Sequence, residues 1–113
     1  MVSDWAPAAG EIIWLDFSPT EGTEQAGRRP ALVISDPGYN AATGRAIVLP
    51  ITSRVRGWPF ETILPKGGPV EGVVLADQTR CVDWRARHAK SAGLAPSDTL
   101  EEARGKLAAL VGF

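Results

Sequence analysis

The chain has 113 residues, 44% hydrophobic and 22% charged, with a formal net charge of −1, which leaves room for one globular domain, 1–113, and no second. One histidine and one cysteine exclude a zinc cluster, an intramolecular disulfide and a paired-histidine nuclease mechanism, so no metal and no cofactor are expected. No apolar run approaches the roughly 20 residues that span a bilayer, and the N-terminus lacks the order of a secretion signal; a cytoplasmic protein without membrane contact is expected.

The small net charge hides a segregated distribution: residues 1–27 carry −5, residues 28–90 carry +5 and residues 91–113 carry −1. Eight of the ten bases in the middle segment are arginine, the side chain whose fork suits phosphate. A basic face on a near-neutral protein follows, as does the plainer alternative of solvated surface charge.

Along the chain, 12 Gly and 9 Pro favour short strands joined by turns. Glu11–Phe17 reads as the first strand. Residues 18–29, with Pro19, Gly22, Gly27 and almost no apolar anchor, read as a long exposed loop. Strands are then expected at Pro30–Ser35, Arg45–Thr52, Phe60–Leu64, Gly72–Ala76 and Thr79–Trp84, each apolar or β-branched at its centre. Asp36–Gly44 between the second and third strands is a loop with room for one short helical turn. From Leu100 the apolar residues Ala103, Leu107, Leu110 and Val111 form one helical stripe. Asp98 with Glu101 resembles a capping box for that helix, with Ser97 as the alternative cap. Gly105 inside it costs roughly 1 kcal/mol against Ala, so either stability is spare or something packs closely there. The sum is a mainly β domain with a C-terminal helix: a small, strongly bent sheet or half-open barrel with the helix on one face. Trp14, Trp84 and Cys81 are expected in the core and His88 on the surface. Trp58, beside Gly57 and Pro59, fits either the core or a base-stacking platform.

Two segments carry chemistry. Glu24-Gln25-Ala26-Gly27-Arg28-Arg29-Pro30 places two arginines at a loop exit, and Pro50-Ile51-Thr52-Ser53-Arg54 ends a strand with two hydroxyls before Arg54 and Arg56. If the strand ends are neighbours, Arg29 and Thr52 supply a cation and a hydroxyl donor around one tetrahedral anion.

Together with Gly10-Glu11-Ile12-Ile13-Trp14-Leu15-Asp16-Phe17, Gly57-Trp58-Pro59-Phe60-Glu61 and Val74-Leu75-Ala76-Asp77-Gln78, these segments make the chain resemble, almost end to end, the MazF/PemK toxin endoribonucleases, or mRNA interferases. The resemblance implies an SH3-barrel-like sheet, a homodimer and metal-independent, sequence-selective cleavage of single-stranded RNA. It also implies neutralisation by a cognate MazE-like antitoxin with an acidic C-terminal segment. By position it carries over Arg29 and Thr52 as catalytic residues, with Glu24 as the nearest carboxylate and candidate base. It carries over Phe17, Thr23, Gln25, Arg28, Ser53, Arg54, Arg56, Asp77 and Gln78 as substrate-binding residues. An arginine that is never deprotonated is a poor general base, so Arg29 is assigned to transition-state charge and the proton carriers stay open. Two alternatives remain: a gyrase-poisoning toxin of the same fold acting through its terminal Leu110-Val111-Gly112-Phe113, and a non-catalytic nucleic-acid-binding module.

Overall fold

The computed structural model describes residues 5–17 and 27–113. In chain order the elements are β1 (Glu11–Phe17), β2 (Gly27–Val33), α1 (Pro37–Thr43), β3 (Arg45–Thr52), β4 (Glu61–Ile63), β5 (Val73–Leu75), a 3-10 turn (Ala76–Gln78), β6 (Arg80–Asp83), β7 (Lys90–Leu94) and α2 (Ser97–Val111). All six expected strands are present, with ends shifted by a few residues. The second begins earlier than expected, at Gly27, so Arg28 and Arg29 stand inside a strand. β7 is a strand that the sequence reading missed. Lys90-Ser91-Ala92-Gly93-Leu94 has no β-branched residue and no alternation, and it is recruited by pairing with β1.

The seven strands form one antiparallel sheet in the order β4-β5-β3-β2-β1-β7, with β6 also on β3. β3 is the hub: β2 pairs with its middle, β6 with Arg45–Val48 and β5 with its last two residues. Two partners at opposite ends of one strand bend the sheet strongly, and it does not close.

Period-two alternation gives each strand two faces, and the sheet has a core on both. On one face Ile12, Leu32, Leu49, Ile51 and Val74 pack with Ala103, Leu100 and Leu107 of α2. On the other, away from α2, Ile13, Leu15, Ala31, Val33, Ala46, Val48, Val82 and Trp84 form a second cluster, with α1 against its Trp84. A buried amide locks that region: Asn40 of α1 donates through Nδ2 to the carbonyls of Pro7 (2.7 Å) and Ser35 (3.1 Å), and the Trp84 indole donates to the Asn40 carbonyl (3.0 Å).

Three local expectations are corrected, and one open alternative is decided. α1 is a seven-residue helix in place of a loop turn, because Asp36 accepts the Gly38 N–H (2.8 Å) and Gly44 closes its end in the left-handed region. α2 is capped by neither Asp98 nor Ser97: it follows Pro96, with no side-chain cap. A Cβ at its Gly105 would meet nothing within 4 Å, so close packing is not the reason for that glycine. Cys81 is exposed, since the period of β6 turns Val82 inward in its place.

Candidate functional site: a basic cleft on the bent sheet

The sheet face opposite α2 is filled at one end by the second core cluster and open at the other. The open end is a cleft of about 1320 Å³. Its geometry follows from the β2–β3 register. Ala31 pairs with Pro50, Leu32 with Leu49 and Val33 with Val48, and continuing that register sets Arg29 against Thr52. The two residues also share the face of Ala31 and Pro50, since each lies two positions further along its strand. The ladder itself begins only at Ala31, next to Pro30, which has no N–H to donate. β2 and β3 therefore part where the cation and the hydroxyl enter the cleft, and both line it.

The Thr52 hydroxyl is oriented locally: its Oγ1 accepts the Arg54 N–H at 3.1 Å, which leaves its own hydrogen to donate. Beyond it the turn carrying Arg54, Arg56 and Trp58 is held by Glu61, a buried carboxylate that accepts the N–H groups of Arg56 (3.2 Å) and Gly57 (3.0 Å). Trp58 remains 43% exposed, with the Arg56 guanidinium 4.8 Å from its ring centre. It belongs to neither core cluster and lines the cleft.

The opposite wall comes from β6 and the turn after it. Arg80 and Arg87 lie 5.0 and 4.8 Å from the Phe17 ring centre, so one aromatic side chain is flanked by two guanidinium groups. Neither Arg80 nor Arg87 was part of the sequence-derived site. The usable signal is the alternation in β6, which puts Arg80 on the face of the buried Val82. At the rim the Asp16 carboxylate accepts from Arg28 Nη1 and lies 3.0 Å from His88 Nδ1. Partial withdrawal from water raises the Asp16 carboxyl, but hydrogen bonds from His88 and Arg28, and then their charge, outweigh it and hold it below the usual carboxylate value.

Among the described residues the cleft is lined by five arginines against three carboxylates, Asp16, Glu61 and Asp83. Each carboxylate is engaged: Asp16 and Glu61 as above, and Asp83 by accepting the Ala86 N–H at 2.9 Å. The cleft is thus an open groove of forked donors, two aromatic rings and one oriented hydroxyl, suited to a polyanion with flat appendages.

Of the sequence-derived site, Phe17, Arg29, Thr52, Ser53, Arg54, Arg56 and Gln78 line the cleft. Arg28 stands behind it, tying Asp16 and the carbonyls of Trp14 (3.1 Å) and His88 (3.0 Å) together. Asp77 is exposed beside Gln78 and is not part of the lining. Thr23, Glu24 and Gln25, with most of the expected 18–29 loop, lie outside the described residues. No group of three or more His, Cys, Asp or Glu able to hold a metal ion occurs among the described residues.

Residues 8–111 match the family of PemK-like, MazF-like toxins of type II toxin-antitoxin systems. The chain belongs to this family. It is 44% identical over 112 residues to the endoribonuclease toxin MazF of Escherichia coli K12, covering 99% of this chain and 100% of that one. It is 41% identical to the endoribonuclease toxin ChpB of the same organism over 108 residues, 90% of this chain and 91% of the other. A Deinococcus radiodurans MazE–MazF complex contains a similar chain with a TM-score of 0.90 and 50% identity, covering 96% of this chain and 99% of that chain. A mycobacterial endoribonuclease in complex with its cognate antitoxin matches at 21% identity with a TM-score of 0.79, a likeness of fold. The sheet with its C-terminal helix is the MazF fold of the Deinococcus structures, as the family resemblance implied.

Proposed function

We propose that this chain is the endoribonuclease toxin of a toxin-antitoxin pair, cutting single-stranded RNA in the cleft. The observation that carries the reading is that Arg29 and Thr52, from the ends of β2 and β3, both line one groove with four further arginines. The family relatives named as endoribonucleases support scission over the gyrase-poisoning and binding-only alternatives.

RNA supplies its own nucleophile, the 2'-hydroxyl. The protein's task is to align that oxygen with the phosphorus and the leaving 5'-oxygen, and to stabilise a doubly charged transition state. Arg29 offers a permanent charge and paired N–H donors to the non-bridging oxygens. Thr52, with its lone pair taken by the Arg54 N–H, offers an O–H to the same phosphate. Glu24 is assigned as the base that accepts the 2'-hydroxyl proton, and the leaving 5'-oxygen takes its proton from water to end as the 5'-hydroxyl. Phe17 and Trp58 stack unpaired bases, while Ser53, Arg54, Arg56 and Gln78 hold flanking phosphates and base edges. Thr23 and Gln25 complete the substrate-binding set carried over from the family, while Arg28 acts from behind the cleft by fixing Asp16, and Asp77 lies outside the lining. The functional unit is one domain, 1–113, acting as a homodimer in the cytoplasm and inhibited by a MazE-like antitoxin whose acidic segment occupies the same cleft.

The deciding experiment incubates purified protein with single-stranded RNA in EDTA and maps the products on a sequencing gel. Cleavage with a 2',3'-cyclic phosphate and a 5'-hydroxyl is expected. Loss of activity in EDTA, or equal cutting of DNA, would sink the mechanism; retention of RNA without scission would leave only a binding module.

A further inference from the structure

The chain's single histidine stands where a solvated surface residue has no need to be. His88 has a positive φ of 53°, an uncommon conformation for a residue with a Cβ and, among the described residues, the only such case outside glycine. The turn around it is fixed: its own N–H donates to the Arg85 carbonyl (3.1 Å), the next residue, Ala89, donates to Trp84 (2.9 Å), and Asp16 of β1 donates to the Arg87 carbonyl (2.8 Å). The ring is likewise directed, because Asp16 Oδ2 lies 3.0 Å from Nδ1. An ionised carboxylate only accepts, so Nδ1 carries a hydrogen and Nε2 is the nitrogen left facing outward. The side chain is 75% exposed, and the residue lines the same cleft as Arg29 and Arg87.

We propose that His88 is an RNA-backbone contact of this toxin, its Nε2–H donating to a phosphate in the protonated state, so that RNA affinity rises as the imidazole gains its proton. The proposal rests on the reading of the cleft as an RNA site. The charged groups around the ring come from three elements: Asp16 on β1, Arg28 on β2, which shares that carboxylate, and Arg87 in the same turn, whose guanidinium donates to the Asp16 carbonyl at 3.1 Å. Asp16 is held below the ordinary carboxylate value and stays ionised across the range in which an imidazole ordinarily titrates, near 6.5. The direction follows from linkage: a phosphate that meets the imidazolium raises its pKa in the complex, so binding tightens as pH falls and weakens as it rises.

With one histidine, imidazole signals in a proton NMR titration belong to His88 without assignment work. The probe is a short mixed-sequence RNA carrying 2'-O-methyl groups, which removes the nucleophile. Saturating RNA is expected to raise the imidazole pKa by about one unit, which corresponds to about tenfold tighter binding of the protonated form. Direct affinity measurements from roughly pH 5.5 to 7.5, across the ordinary imidazole value, should show the same gain. His88→Gln, which keeps a polar side chain, and His88→Gly, which suits the positive φ, should both lose that gain and bind as wild type does at the upper end of the range. His88→Gly should do so with unchanged or increased thermal stability, separating a binding loss from a folding defect. RNA binding with an unmoved imidazole pKa, or variants that keep the full pH dependence, would overturn the role of His88 alone. Absence of RNA binding at every pH would overturn the cleft reading along with it.

Discussion

Arg29 and Thr52 arrive in the cleft from two strands that stop pairing just before them, and this separation sets the expected mutational signs. Arg29 is exposed and outside both core clusters, so Arg29→Ala should leave folding intact by circular dichroism while cleavage falls about 10²- to 10³-fold, the usual loss for one preorganised donor. Thr52→Ala should cost less, because a neutral hydroxyl makes a weaker bond than a charged fork. Asp16 makes a separate prediction about pH. Its carboxyl is held low by His88 and Arg28, so the stability it contributes is present above the unfolded aspartate value, about 3.9, and is lost as pH falls through its lower folded value. Acid unfolding of wild type and Asp16→Asn, followed by tryptophan fluorescence, should show a shallower acid loss in the variant. Equal curves would remove the tie from the acid response.

At the scale of elements, two glycines of the same composition have opposite meanings. Gly72 precedes β5 with φ +126°, and a Cβ there would lie 2.3 Å from the Thr52 carbonyl oxygen. Gly72→Ala must push the end of β3 away, so cleavage should drop by more than the accompanying loss of stability accounts for, measured by kinetics and denaturant unfolding on one preparation. Gly105 lies exposed inside α2, and a Cβ there would meet nothing within 4 Å. Gly105→Ala should stabilise by about 0.5–1 kcal/mol and leave cleavage unchanged. The α2 packing that this helix shares with the sheet is reinforced by polar ties, Lys106 Nζ to the Glu61 carbonyl and Arg104 Nη2 to the Ile34 carbonyl at 3.0 Å. Through Lys106 the helix reaches β4, whose Glu61 side chain holds the Arg56–Trp58 turn.

For the whole molecule, the proposed function asks one open groove to serve both substrate and inhibitor. A basic cleft with Trp58 and Phe17 in its walls suits an acidic segment studded with apolar residues. Exposed charge pairs of about 0–1 kcal/mol each cannot hold an inhibitor alone, so charge is expected to set association and the apolar anchors dissociation. Charge reversal at Arg54 plus Arg56 should slow antitoxin association more than it speeds release, measured by stopped-flow mixing. Antitoxin and uncleavable RNA should exclude each other. Simultaneous binding without mutual weakening would replace occlusion with an allosteric route.

The six strands of high β content and the helical stripe of α2 were legible in the chain, as was the placing of Arg29 and Thr52 at neighbouring strand ends, where both line one cleft, because alternation, helical period and a motif are local or ordered along the sequence. The position of Arg29 within a strand was hidden, since Gly27-Arg28-Arg29-Pro30 has no strand propensity and is held by β1. β7 was hidden for the same reason. Only the bent sheet could decide that Arg80 and Arg87 flank Phe17, that Asp16 joins Arg28 to His88 across 72 positions of chain, and that Trp58 is left half in water. These contacts join residues far apart in sequence. Their partners are chosen by register and curvature, two properties that arise only when all the strands pair together.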